Sequence, residues 1–241
     1  MNTAEPVWRL PFSPYGRICQ VPLDQVQQAL VRIFLRWGKP GAMRVDNGLP
    51  LGAPSAHFTP LLALWLIGID VDMIWNKPAC PQQNGRVEKM QDTTARWAEI
   101  HKATSLLDLQ ARLNGALQLQ REAYPVLRLE GQTRLMAFPT LATTKRPYSS
   151  TDFTIGRVYT FLQPKLYTRK VSNGGQITHY GKVYSVGVAY KQQWVQVRLS
   201  ADGSLWEVLS DYKVIKQLDA TMLSAKKIEA LTPFKTTKHQ T

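Results

Sequence analysis

The spacing of apolar residues changes partway along the chain, and that change limits the fold more than any other feature. Up to Pro125 they recur at three- and four-residue steps, interrupted by short strand-like runs; beyond about Thr154 they alternate every second residue between turn dipeptides. A period near 3.6 buries one helix stripe and a period of 2 buries one strand face, so two architectures are joined. With 241 residues the chain has room for two modest domains. The boundaries read as 1–125, a linker over 126–153 containing Pro and Thr, strands over 154–218, and a helix with a Lys-rich tail over 219–241.

Asp24 opens a predicted helix with Val26, Leu30, Ile33, Phe34 and Trp37 on one face, and Gly38, Pro40 and Gly41 end it. Met43 to Val45 reads as a short buried strand with Asp46 at its carboxyl end, turned away by Asn47-Gly48. Thr59 reads as an N-cap and Pro60 as the first position of a helix over Leu61 to Ile67 that stops at Gly68. The apolar run Leu61 to Ile69 is about half of a bilayer span, so a buried element is expected and a membrane segment is not. Ile69, Val71 and Met73 alternate with Asp70 and Asp72, predicting a strand whose two aspartates share a solvated face. A loop over Asn76 to Gly85 leads to a helix from about Arg86 to Ala103, with Val87, Met90, Thr94 and Trp97 along one side. Ser105, with Asp108 three positions on, caps a last helix running to about Ala123.

In the second half, Val183 to Val186 and Trp194 to Val197 read as strands, and Asn173-Gly174 and Asp202-Gly203 as hairpin turns. A small antiparallel barrel closed by a short helix, Ala220 to Leu231, fits the pattern. Tyr167, Tyr180, Tyr184 and Trp194 are read as its filling, and Trp65, Trp75 and Trp97 as core of the first half.

The charge is lopsided. Thirty Lys and Arg against seventeen Asp and Glu give +13. Residues 1–125 hold 13 basic and 10 acidic groups, whereas 126–241 hold 17 and 7, a net of +10 that points to a polyanion partner for the second half. Met1 to Pro6 lacks the basic and apolar regions of a secretory signal. Cys19 and Cys80 lack CxxC spacing and the four His residues, His57 and His101 among them, are scattered, so neither a disulfide framework nor a zinc site is expected.

The sharpest motif is Asp46-Asn47-Gly48 followed, after 41 intervening residues, by Glu88 in Pro78-Ala79-Cys80-Pro81-Gln82-Gln83-Asn84-Gly85-Arg86-Val87-Glu88. An Asp at a strand end and a Glu in the first helical turn after a Pro/Gln/Asn/Gly loop resembles the retroviral-integrase-like core of DDE transposases of bacterial insertion sequences. That resemblance implies a ribonuclease-H-like α/β core followed by a small SH3-like all-β barrel, with Arg169-Lys170-Val171 and Gly181 to Gly187 matching the barrel. It implies metal-dependent DNA cleavage and strand transfer, with Asp46 and Glu88 as catalytic carboxylates holding Mg²⁺ or Mn²⁺. Phosphodiester transfer of this kind uses two cations about 4 Å apart, and hard cations take carboxylate ligands.

By the same resemblance Asn84 contacts the DNA end, Lys77, Arg86 and Lys89 neutralise phosphates near it, and Arg169, Lys170, Lys182 and Arg198 grip the backbone from the barrel. The partners implied are transposon-end and target DNA, with a second copy or a full-length transposase, in a bacterial cytoplasm at the nucleoid and away from membrane. The family's first carboxylate lies on the opening strand of its sheet. Forty-five residues precede Asp46 here, and neither Glu5 nor Asp24 falls at that position. An N-terminally truncated, catalytically incompetent core is therefore the expectation. A non-catalytic DNA-binding regulator of transposition is the alternative, and an RNA-binding barrel would explain the charge but not the motif.

Overall fold

A computed structural model describes residues 21–52, 58–78, 80, 82, 85–140 and 146–231, the side chain of Arg86 excepted. The chain is mixed α/β and divides into two compact units, each built from separated segments: Met1–Pro40 with Asn76–Tyr148, and Gly41–Trp75 with Ser149–Thr241. Among the described residues every strand belongs to the second unit, so the first is called the helical unit and the second the mixed unit.

The helical unit contains α1 (Leu23–Trp37), α3 (Gly85–Ala98), α4 (Leu106–Gln118) and α5 (Arg134–Ala137). Of the apolar stripe expected on α1, Phe34 is buried while Ile33 and Trp37 stay exposed. Trp37 lies under the guanidinium groups of Arg36 and Arg121, 4.9 and 4.3 Å from its ring centre. The expected cap of α4 forms: Ser105 Oγ accepts from Asp108 N at 3.1 Å, and the Asp108 carboxylate accepts from Thr104 N at 3.0 Å. Beyond Gln118 the helix widens into a π-helical turn, Leu119–Ala123.

In the mixed unit, β1 (Ala42–Val45) runs parallel to β2 (Asp72–Trp75), joined through α2 (Leu61–Gly68). All eight residues of α2 are buried. A helix apolar on every side has no solvent face to offer, so it must be enclosed, and here it packs against β2, α6 (Ile155–Leu162) and α7 (Ala225–Glu229). Gly68 allows the closest approach, since a Cβ there would stand 2.2 Å from the Phe153 ring.

Two expectations at this helix are corrected. Thr59 is not its cap: Pro60 occupies that position, and Thr59 instead takes its N–H to Tyr180 Oη at 3.2 Å. Asp70 does not share a strand face with Asp72. It adopts φ 67°, with Asp70 N donating to Ile67 O and Val71 N to Leu66 O, a left-handed helix stop from which β2 starts only at Asp72.

The antiparallel strands are β3 (Tyr167–Lys170), β4 (Gln176–His179), β5 (Lys182–Ser185), β6 (Trp194–Leu199), β7 (Leu205–Ser210) and β8 (Lys213–Asp219). They form an open sheet in the order β3-β6-β7-β8 and a separate β4-β5 hairpin. Among the described residues they do not close into a barrel; α6 packs on β6, and rings of Tyr167, Tyr180 and Trp206 fill the interior. No helix of the described residues is long and apolar enough to cross a membrane.

Candidate functional site

Asp46 follows the last residue of β1 and is exposed. Its Oδ1 accepts from Gly48 N at 3.0 Å, the local turn that Asp-Asn-Gly favours. The loop then folds back: Gly52 N donates to Gly48 O at 2.7 Å, and Trp75 Nε1, at the end of β2, donates to Leu51 O at 3.0 Å. Val45 is the register partner of Trp75. The carboxyl ends of both parallel strands, where open α/β sheets bind ligands, are thus pinned around the Asp46 loop.

Glu88 lies in the first turn of α3, as its motif requires, and is exposed. Lys89 is exposed one residue on, and Lys77 is exposed beyond β2. Asn84, the side chain of Arg86, Pro14 to Cys19, His57 and the Lys-rich end from Lys235 lie outside the described residues. Asp46 belongs to the mixed unit and Glu88, Lys77 and Lys89 to the helical unit. Asp24 is in the first turn of α1, a helix position and not a strand end. Cys80 is a free, half-buried thiol.

The four cations named in the second half separate into two kinds. Arg169 is turned toward the interior: its guanidinium donates to Thr178 O at 3.0 Å and Thr168 O at 2.8 Å and meets His179 Nδ1 at 2.9 Å. Arg198 pairs with Glu207 across β6 and β7 at 2.7 Å. Lys182 lies over the Tyr184 ring at 5.0 Å. Lys170 is exposed, and its register partner on β6 is Trp194, which is 64% exposed. This tryptophan is surface, unlike Tyr167, Tyr180 and Tyr184, which are buried. Its alternation on β6 with buried Val195 and Val197 was the signal available in the sequence.

Behind that face, His179 and Trp206 meet at right angles with ring centres 4.3 Å apart. Burial, and then the charge of Arg169, hold the His179 imidazolium down to a pKa of about 3. Burial likewise raises the phenols of Tyr180 and Tyr167. Tyr184, whose Oη donates to Asp219 O at 3.0 Å, is pushed up to about 12 by burial and then by Asp219. This cluster is neutral filling with no group poised for proton transfer near neutrality.

Asp46 and Glu88 are hard oxygen donors open to solvent, the type a divalent cation takes. Among the described residues, no three of His, Cys, Asp or Glu gather in one place. No protein-family model matches the chain.

Proposed function

We propose that the chain is a DNA-binding protein of the DDE transposase and integrase class, acting at transposon ends and target DNA. The observation that carries this reading is the parallel β1-α2-β2 arrangement with Asp46 at the carboxyl end of β1, combined with Glu88 in the first turn of α3, just after the Gln-Asn-Gly sequence. In this reading β1, α2, β2 and α3 correspond to part of a ribonuclease-H-like core, and β3 to β8 to the SH3-like module that follows it. By the resemblance Asp46, and separately Glu88, would each offer a carboxylate to Mg²⁺ or Mn²⁺, which would supply charge stabilisation at the scissile phosphate. In this reading the chain binds DNA without cleaving it; Asp24, in the first turn of α1, is not at the strand-end position of the family's first carboxylate.

A second reading, a non-catalytic regulator that holds DNA or a full-length transposase, is supported by exposed Lys170 and its register partner Trp194, a cation and an exposed aromatic on neighbouring strands. The test is a titration of labelled DNA at rising salt, with an incubation in Mg²⁺ or Mn²⁺ to detect nicks. Affinity is expected to fall steeply with salt, by a log–log slope of about −0.9 per phosphate neutralised. Affinity indifferent to salt overturns DNA binding. Nicking lost in Glu88→Ala overturns the inactive reading and restores a working enzyme.

A further inference from the structure

The helical unit contains a cleft of about 690 Å³ lined in part by Gln82, Gly85 and Val87 of the Pro78 to Glu88 motif, though not by Glu88 itself. Pockets that enclose small ligands span roughly 300–1,000 Å³, so the size suits one. One wall is α3, where Val87 and Met90 are each 49% exposed, apolar side chains without cover. The other is the π-helical turn and the residues after it. There Tyr124 N donates to Leu119 O at 2.8 Å, the wider step that defines a π turn, and Tyr124 is left 45% exposed with its ring edge-on to Trp97 at 4.8 Å.

The π turn is held on purpose-built contacts. Gln120 is buried, its Nε2 donates to Thr94 Oγ1 at 2.8 Å, and its carbonyl accepts from Arg134 at 2.6 Å. Turns of this kind concentrate at functional sites. Three cations, Lys89, Arg128 and Arg134, reach the lining, and among the described residues no Asp or Glu lines it. Aromatic rings, apolar side chains and the cations Lys89 and Arg128 suit a planar group carrying phosphate. A paired duplex hides its base faces in the stack, whereas an unpaired nucleotide presents both features together.

We propose that this cleft takes an unpaired nucleotide of a DNA strand, its base against Tyr124 and its phosphates toward Arg128 and Lys89. The proposal rests on the DNA-binding reading above and adds a preference for frayed or overhanging ends. It is tested on the full chain by fluorescence anisotropy with a blunt duplex and with the same duplex carrying a short oligothymidylate overhang. The overhang is expected to bind at least about fivefold tighter, the lower end of a single base–aromatic stack. Tyr124→Ala and, separately, the exposed Arg128→Ala are expected to abolish that preference with blunt-duplex affinity changed less than about twofold; Tyr124→Phe is expected to keep it.

Equal affinity for the two duplexes overturns the cleft and leaves DNA binding standing, whereas no binding to either overturns both. An oligoglutamate peptide that binds and loses affinity in Arg128→Ala, with no overhang preference, overturns the cleft in favour of an acidic protein partner. Should Tyr124→Ala melt without a cooperative transition, Arg128→Ala decides alone, and an intact preference in it overturns the proposal.

Discussion

Arg169 presents its guanidinium donors to His179 Nδ1, so the neutral imidazole carries its proton on Nε2, toward the buried rings of the cluster. Charging that ring in place is costly, first because it is buried and then because Arg169 is already positive. The folded pKa of about 3 lies below the ordinary 6.5, so the unfolded chain takes up the proton first. His179 therefore contributes fully above pH 6.5, and its contribution is lost as pH falls from there toward 3, at up to about 1.4 kcal/mol per pH unit. Urea melts between pH 7 and pH 4 should show that slope, and His179→Phe should flatten it. Asp202, held down to about 2 by Ser200 and then Ser204, adds a loss of the same sign at lower pH. Gly203 is the matching steric point: at φ 74° a Cβ would stand 2.2 Å from the Tyr159 ring. Gly203→Ala is expected to lower stability by about 1–3 kcal/mol, read as a shift in denaturation midpoint at constant m-value.

Among elements, α2 is the one whose loss the mixed unit tolerates least. Leu64 is wholly buried in it, and Leu64→Ala is expected to cost about 2–5 kcal/mol by calorimetry or urea melt. Asp70→Gly is expected to leave stability within about 1 kcal/mol of the parent, because relief of the left-handed backbone offsets loss of an exposed ion pair with Arg157 at 3.8 Å. That residue also shows where sequence reading runs out. Ile69, Asp70, Val71 and Asp72 alternate as a strand would, but a fully apolar helix just before them needs a sharp stop, and hydrogen bonding to Leu66 and Ile67 overrides the alternation. Asp202-Gly203 was legible as the turn of the β6–β7 hairpin because Gly203 takes positive φ freely; at Asn173-Gly174 the chain does turn, but the positive φ falls on Gly175 and the flanking β3 and β4 are not partners. The turns Tyr180-Gly181 and Asp211-Tyr212 were not legible, since Tyr180 and Tyr212 adopt positive φ without the residue type that announces it. Of the candidate site, the Asp46 strand end and the Glu88 helix turn were readable from local pattern. The retreat of Arg169 into the interior depends on His179, whose burial follows from packing that no local pattern encodes.

For the whole molecule, the period change after Pro125 announces the antiparallel strands but not which segments pack together. The mixed unit joins residues 41–75 to residues 149–241, with Thr59 bonded to Tyr180 and α2 packed on α6 and α7. A fragment covering only 149–241 is expected to bind a hydrophobic dye and show no cooperative melt, because Val158, Leu223 and Ile228 lose their cover; coexpression with 41–75 should restore the melt. A cooperative fragment would show that the two segments are energetically separate.

The discontinuity has a consequence on the ribosome. Leu61 to Ile69 emerges long before Phe153 and Ile228, and at about 5–20 residues per second the greasy segment waits several seconds for its lid. During translation that stretch is a standing target for holdase chaperones, and starving cells of them should send this protein into inclusion bodies ahead of neighbours whose cores close in reading order.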